Sequence, residues 1–165
     1  MAANSVAIIG SFKQHNDAIQ RVCAALRSAG ICVTSPRGAQ IVQEGIDFVR
    51  FPTDPTGWTD SAVQSLALHR IFAANLVYVV APAGYVGKTT CYEIGRALQR
   101  KQPIYFSAPP VDLPVHIPSR FVIDASGLLA HLCDTTWQPE WLFDLDGTQT
   151  GELERALINE ALRDE

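Results

Sequence analysis

Apolar and polar positions along this chain switch repeatedly between a strand pattern and a helix pattern. Val6-Ala-Ile-Ile9 is a short apolar run ending at Gly10-Ser11, after which Ile19, Val22, Cys23 and Leu26 recur at helical spacing until Gly30 supplies a C-terminal stop. Together they predict a βα unit. Ile31-Cys-Val-Thr34 predicts a second strand, closed by Ser35-Pro36, and Thr59 or Asp60 then caps a helix carrying Val63, Leu66, Ile71 and Phe72. The uninterrupted β-branched and aromatic run Leu76-Val-Tyr-Val-Val80 predicts a buried parallel strand. A helix from about 88 to 100 and a strand at Pro103-Ile-Tyr-Phe106 continue the alternation. Strands alternating with helices imply an α/β fold, an open and mostly parallel sheet with helices on both faces, in a single domain over residues 1–165. Ligands of such sheets sit beyond the carboxyl ends of the strands, here at Gly10-Ser11-Phe12, Pro36-Arg37 and residues 84–89.

Two regions break the pattern. Residues 37–58 contain Ile41-Val42, Phe48-Val-Arg-Phe51 and the turn-rich Pro52-Thr-Asp-Pro-Thr-Gly57, which predict a short hairpin or a long loop. Such a segment is either a lid over the site or cover for a sheet edge. Beyond Ala108 proline is frequent, Phe121-Val-Ile123 predicts another short strand and Leu128 to Leu132 a short helix. Leu153, Leu157 and Ala161 form the apolar face of a final helix within 148–165, expected to serve packing or a dimer contact. No internal repeat or low-complexity tract occurs.

Composition narrows the partners. With 165 residues, 47% hydrophobic and 18% charged, the chain suits one globular domain with a sizeable core. A net charge of -4 offers no basic face for long nucleic acid or an anionic membrane, so small molecules or copies of itself are the expected partners. The apolar run before Pro82 is interrupted at Asn75 and too short to span a bilayer, and no targeting segment is expected at the N-terminus. Cys23, Cys32, Cys91 and Cys133 lack metal-type pairing, and three of them fall where buried thiols are expected. They read as reduced core residues of a cytoplasmic protein that uses no metal and no cofactor.

The stretch Ala81-Pro-Ala-Gly-Tyr-Val-Gly-Lys-Thr-Thr-Cys-Tyr-Glu-Ile-Gly-Arg-Ala-Leu98 carries the candidate chemistry. Gly84 and Gly87 free the backbone for a tight loop between the third strand and the following helix. Unpaired N–H groups at that helix start, with the positive end of its dipole, favour a bound phosphate and are expected to keep Glu93 ionised. Gly87-Lys88-Thr89 invites a P-loop reading, but the required earlier glycine is Pro82, which has no N–H to donate. The dinucleotide fingerprint fails too, because the first strand leads into Gly10-Ser11-Phe12-Lys13. Lys88 is either a phosphate contact or a solvated lysine on a first turn. Glu93 is either a catalytic carboxylate or a surface glutamate paired with Arg96 or Arg100, a contact contributing under about 1 kcal/mol. Gly95 inside the helix suggests a close approach at that point, since glycine there costs on the order of 1 kcal/mol.

Asn75-Leu-Val-Tyr-Val-Val80, Pro82-Ala-Gly-Tyr-Val-Gly87 and Tyr92-Glu-Ile-Gly-Arg-Ala97 together resemble the nucleoside 2-deoxyribosyltransferase family and its nucleotide N-glycosidase relatives. The resemblance covers roughly residues 5 to 107. It implies a Rossmann-like domain that breaks or exchanges the bond between a sugar C1′ and a nucleobase. It makes Glu93 the nucleophile and lays the first loop, Gly10-Ser11-Phe12, against the nucleotide. Nucleoside cleavage passes through a cation-like sugar, which a carboxylate below C1′ can trap covalently and then release to water or to a second base. The transferases carry an aspartate six residues before the nucleophile and another on the preceding helix; this chain has Gly87 at the first and His69 and Arg70 near the second. In the nucleotide-hydrolysing branch the glycine loop holds a 5′-phosphate, a role open here to Gly84, Tyr85, Gly87, Lys88, Thr89 and Thr90. His69 is a base or phosphate contact or simply structural, and Asp54 and Asp60 are base-facing acids or turn and cap residues. Tyr85 and Tyr92 either enter the pocket or pack. Because active sites of this family are often completed by a neighbouring subunit, the resemblance also implies a homo-oligomer.

Pro82-Ala-Gly-Tyr with Thr89 and Glu93 is similar, at longer spacing, to the lysine-decarboxylase-like phosphoribohydrolases, which also cleave N-glycosidic bonds. Two alternatives of other classes remain: a non-catalytic nucleotide-sensing module that keeps the fold but lacks the substrate-orienting acids, and a phosphotransferase, against which Pro82 argues.

Overall fold

A computed structural model describes residues 5–41, 49–144 and 147–161. Four strands, β1 (Ser5–Gly10), β2 (Cys32–Ser35), β3 (Leu76–Val80) and β4 (Ile104–Phe106), form one sheet in the order β2-β1-β3-β4, every pair parallel. The helices are α1 (Phe12–Ser28), α2 (Asp60–Phe72), α3 (Lys88–Gln99), α4 (Ala125–Cys133) and α5 (Gln149–Ile158), with short 3₁₀ turns at Pro82–Gly84 and Ser119–Phe121. This is the open, Rossmann-like α/β architecture that the alternation implies. No described helix is long and apolar enough to cross a membrane.

The order of strands follows from burial. β3 is buried along its whole length and β1 from Val6 onward, so these two apolar runs take the centre, aligned from Val6 opposite Leu76 to Gly10 opposite Val80. The chain steps from β1 to β2 on one side and then back past β1 to β3 on the other. Right-handed crossovers therefore put α1 on one face and α2 with α3 on the opposite one, where these two helices touch. Each buries one stripe: Ile19, Cys23 and Leu26 on α1; Val63, Leu68 and Ile71 on α2; Ile94, Ala97 and Leu98 on α3. The reversal between β1 and β3 opens a crevice at their carboxyl ends, the usual ligand position in open sheets.

Several expectations are corrected. Phe121-Val-Ile123 is not a strand: Ser119–Phe121 is a 3₁₀ turn, and one isolated bridge joins Val122 to Phe106. Pairing stops there because Asp124 turns away to cap α4, accepting the Gly127 amide at 2.7 Å. On α2, Leu68 takes the core position expected of Leu66, which is half-buried like Phe72. Among the cysteines only Cys23 is buried; Cys91 is half-buried, whereas Cys32, on an edge strand, and Cys133, at the end of α4, are exposed. Leu153 and Leu157 of α5 face solvent, Ala161 lies beyond the end of the helix, and Ile158 supplies the contact with the core.

The described parts of 37–58 contain no strand; Val42 to Phe48 lie outside the described residues. What is described packs against α1 and α2 and lends Val49, Phe51 and Asp54 to a cavity between them. Asn16 and Gln20 of α1 donate to the Ala39 and Gly38 carbonyls, and Phe51 sits directly on Gly38, where an added β-carbon would come within 2.6 Å of the ring-bearing side chain.

Candidate functional site

A cavity of ≈ 390 Å³ lies at the carboxyl ends of β1 and β2 and beside the loop that follows β3. Its size falls in the range of small-molecule sites, roughly 300–1,000 Å³. The β1–α1 turn contributes Gly10, Ser11 and Phe12, and the loop into α3 contributes Tyr85, Gly87, Lys88, Thr89 and Thr90. Gly10 is required at its place because a β-carbon there would lie 2.6 Å from the Val80 carbonyl oxygen, closing the gap between the two central strands. Gly87 approaches Ser11, so the starts of α1 and α3 lie side by side. Neither helix start has a side-chain cap, and the first turns of both contribute residues to the cavity wall.

Glu93 also lines this cavity and is 7% exposed. The Gln64 side-chain amide of α2 donates to Glu93 Oε1 at 3.1 Å. Burial pushes the Glu93 carboxyl from 4.5 up to about 7, with the Gln64 hydrogen bond opposing the rise. This corrects the expectation of an ionised carboxylate held by the helix dipole: Glu93 stands in the second turn of α3, beyond the unpaired amides, and desolvation dominates. It is not a surface ion pair either. Arg96 donates to the Tyr92 hydroxyl at 2.8 Å, and the Arg96 and Arg100 guanidinium groups lie over the Phe72 ring. Gly95 marks no close approach; it is exposed, and an added β-carbon would meet nothing within 4 Å.

The other candidates separate by position. Gly84 lies outside the cavity lining; with φ +79 and a β-carbon position 2.4 Å from the Pro109 carbonyl oxygen, it seats the loop on 109–111. Asp60 is outside too, paired with Arg50 at the start of α2, and borders a shallow adjoining groove with Lys88, Thr89 and Tyr92. His69 is exposed, and its neighbour Arg70 points the other way and lines the cavity. Asp54 does line it, but its carboxylate is engaged by the Phe51 amide at 2.8 Å and by Arg70 at 3.5 Å. Tyr85 enters the wall with its ring edge-on to His15, while Tyr92 is about half exposed beside the groove.

Sequence reasoning missed Gln64 as the partner of Glu93, and Lys13, Phe51 and Ala67 as wall residues. The signal for α2 was present: Gln64, Ala67 and Arg70 recur at helical spacing beside the apolar stripe. Among the described lining residues Lys13, Arg37, Arg70 and Lys88 outnumber Asp54 and Glu93, an excess of cations within a chain of net charge -4. The described residues hold no cluster of three or more His, Cys, Asp or Glu able to bind a metal. No family model, curated protein or solved structure matches the chain.

Proposed function

We propose that the chain cleaves or transfers the N-glycosidic bond of a nucleoside or nucleoside 5′-monophosphate, with Glu93 as nucleophile. The observation that carries this reading is a desolvated carboxylate, oriented by Gln64, in a cavity whose other walls include two uncapped helix starts. The family resemblance of Asn75–Val80, Pro82–Gly87 and Tyr92–Ala97 points the same way. In this reaction Glu93 Oε attacks C1′, the C1′–N bond breaks, and its electron pair leaves with the base, which takes up a proton. Water or a second base then attacks C1′ of the glycosyl ester and restores the carboxylate. Helix-start amides with Lys88, Thr89 and Thr90 suit a 5′-phosphate, which favours the nucleotide over the free nucleoside. We also infer a homo-oligomer, as the family resemblance implies; light scattering reads this directly, and a mass of 18.0 kDa alone would count against it.

A specific observation keeps a sensing module in view: Asp54, the other acid among the described lining residues, is tied to Arg70 and the Phe51 amide rather than open to a sugar hydroxyl or base. Chromatographic detection of free base separates the two. The parent protein, incubated with ribo- and deoxyribonucleosides and their 5′-monophosphates, is expected to release base, and Glu93→Ala to release none while still binding. Nucleotide binding by the parent without turnover of any panel member would establish the sensor instead.

A further inference from the structure

The cavity holds a second polar pair that bond cleavage at Glu93 does not use. Arg70 and Asp54 both line it, with side chains 14% and 6% exposed. Asp54 is satisfied on both oxygens: Oδ1 faces Arg70 Nη1 at 3.5 Å and Oδ2 accepts the Phe51 amide. Arg70 is not. A guanidinium presents five N–H donors in a planar fork, and among the described residues Asp54, meeting one nitrogen, is its polar partner. Its remaining donors open onto the cavity, where a ligand with acceptors spaced to match the fork can take them up.

The surroundings of Arg70 suit a flat ring. Phe12 and Phe51 meet edge-to-face at 5.2 Å, and with Val63 and Ala67 they give this part of the cavity apolar walls. The groups suited to phosphate, at 11–14 and 87–90, come from the two helix starts instead. Gln64, one and a half turns before Arg70 on α2, touches Glu93, so α2 runs from the reacting carboxylate toward the guanidinium.

We propose that Arg70, held by Asp54, reads the edge of the base and selects a 6-oxopurine over a 6-aminopurine. The proposal rests on the nucleotide reading of the same cavity. A 6-oxopurine presents O6 and N7 side by side, two acceptors that match two guanidinium N–H groups; a 6-aminopurine replaces O6 by donors that oppose them. The expected discrimination is roughly ten- to a hundred-fold.

The test compares guanosine and inosine 5′-monophosphates with adenosine 5′-monophosphate, each as ribo- and 2′-deoxyribonucleotide, in two assays of the full chain. One is base release by the parent and by Arg70→Lys, read as kcat/KM. The other is calorimetric binding to Glu93→Gln with and without Arg70→Lys. Lysine keeps a positive charge opposite Asp54, so the variant is expected to fold, checked by its melting transition, but it lacks the planar fork. The expected result is a 6-oxopurine preference in both assays that falls to near unity with Arg70→Lys, with adenosine monophosphate handled as before. Equal handling of the bases, the opposite preference, or a preference that survives Arg70→Lys would overturn the proposal. So would a variant that weakens every monophosphate and inorganic phosphate alike, which would make Arg70 a phosphate contact. Preferential binding without base release from the parent sustains base reading and overturns the reaction. Base release without preference does the reverse, and no binding of any nucleotide overturns both.

Discussion

Glu93 behaves unlike the surface glutamate its sequence neighbours suggest, and the difference has a pH signature. Its carboxyl titrates near 4.5 in an unfolded chain and near 7 when buried, so between these values the folded state binds more protons than the unfolded one. Stability from this group is fully present below about 4.5 and is lost as pH rises through about 7. Glu93→Gln is therefore expected to match the parent near pH 4 and to exceed it by a few kcal/mol above pH 8, at about 1.4 kcal/mol per pKa unit. Denaturant melts at the two pH values check this, and a gap independent of pH would contradict it. If the ionised form is the nucleophile, base release by the parent rises with pH through the same region and then levels. The thiols give an independent reading of burial. Cys32 and Cys133 are exposed, while burial raises the Cys23 thiol to about 11. A thiol reagent is expected to label Cys32 and Cys133 in the native protein and to reach Cys23 on unfolding.

At the scale of elements, the glycine that ends β1 and the glycine inside α3 are not equivalent. Gly10→Ala drives a methyl into the Val80 carbonyl and Ile19, with an expected loss of about 1–3 kcal/mol. Gly95→Ala, on the exposed side of α3 with open space around it, is expected to gain about 0.5–1 kcal/mol and to leave base release unchanged. Equilibrium unfolding of the two variants tests the contrast, and a loss at Gly95 would restore the close contact that its sequence context suggests. Gln64 and Glu93 meet across the junction of α2 and α3, so a change in the packing of either helix reaches the buried carboxylate.

For the molecule as a whole, the sign of the charge differs between the body and the cavity. The chain carries -4, yet among the described residues four cations and two acids line the site. Competition by inorganic phosphate against a nucleotide is accordingly expected to weaken as salt rises, because part of the attraction is screened. Competition insensitive to ionic strength would place the binding energy in amide hydrogen bonds rather than in the lysine and arginine side chains.

The period of the apolar residues was sufficient for the strands and helices up to Phe106, because a run buried on both faces, such as Leu76–Val80, can satisfy its backbone only in the middle of a sheet. It also placed Gly10-Ser11-Phe12, Pro36-Arg37 and residues 84–89 at the same edge, since chain reversal at a strand end is a local property, although Gly84 itself falls outside the cavity lining. Local pattern failed at Phe121–Ile123, where strand propensity yielded to the cap of α4, and at Leu153 and Leu157, whose spacing suits a buried face but whose helix turns them to solvent. Tertiary structure alone decided which polar groups meet. Gln64 and Glu93 are 29 residues apart, and Asp54 and Arg70 come from a loop and a helix whose distance depends on the path of the intervening chain. The desolvation that alters Glu93 is likewise a sum over groups from α2, α3 and the sheet edge, which no window of neighbouring residues contains.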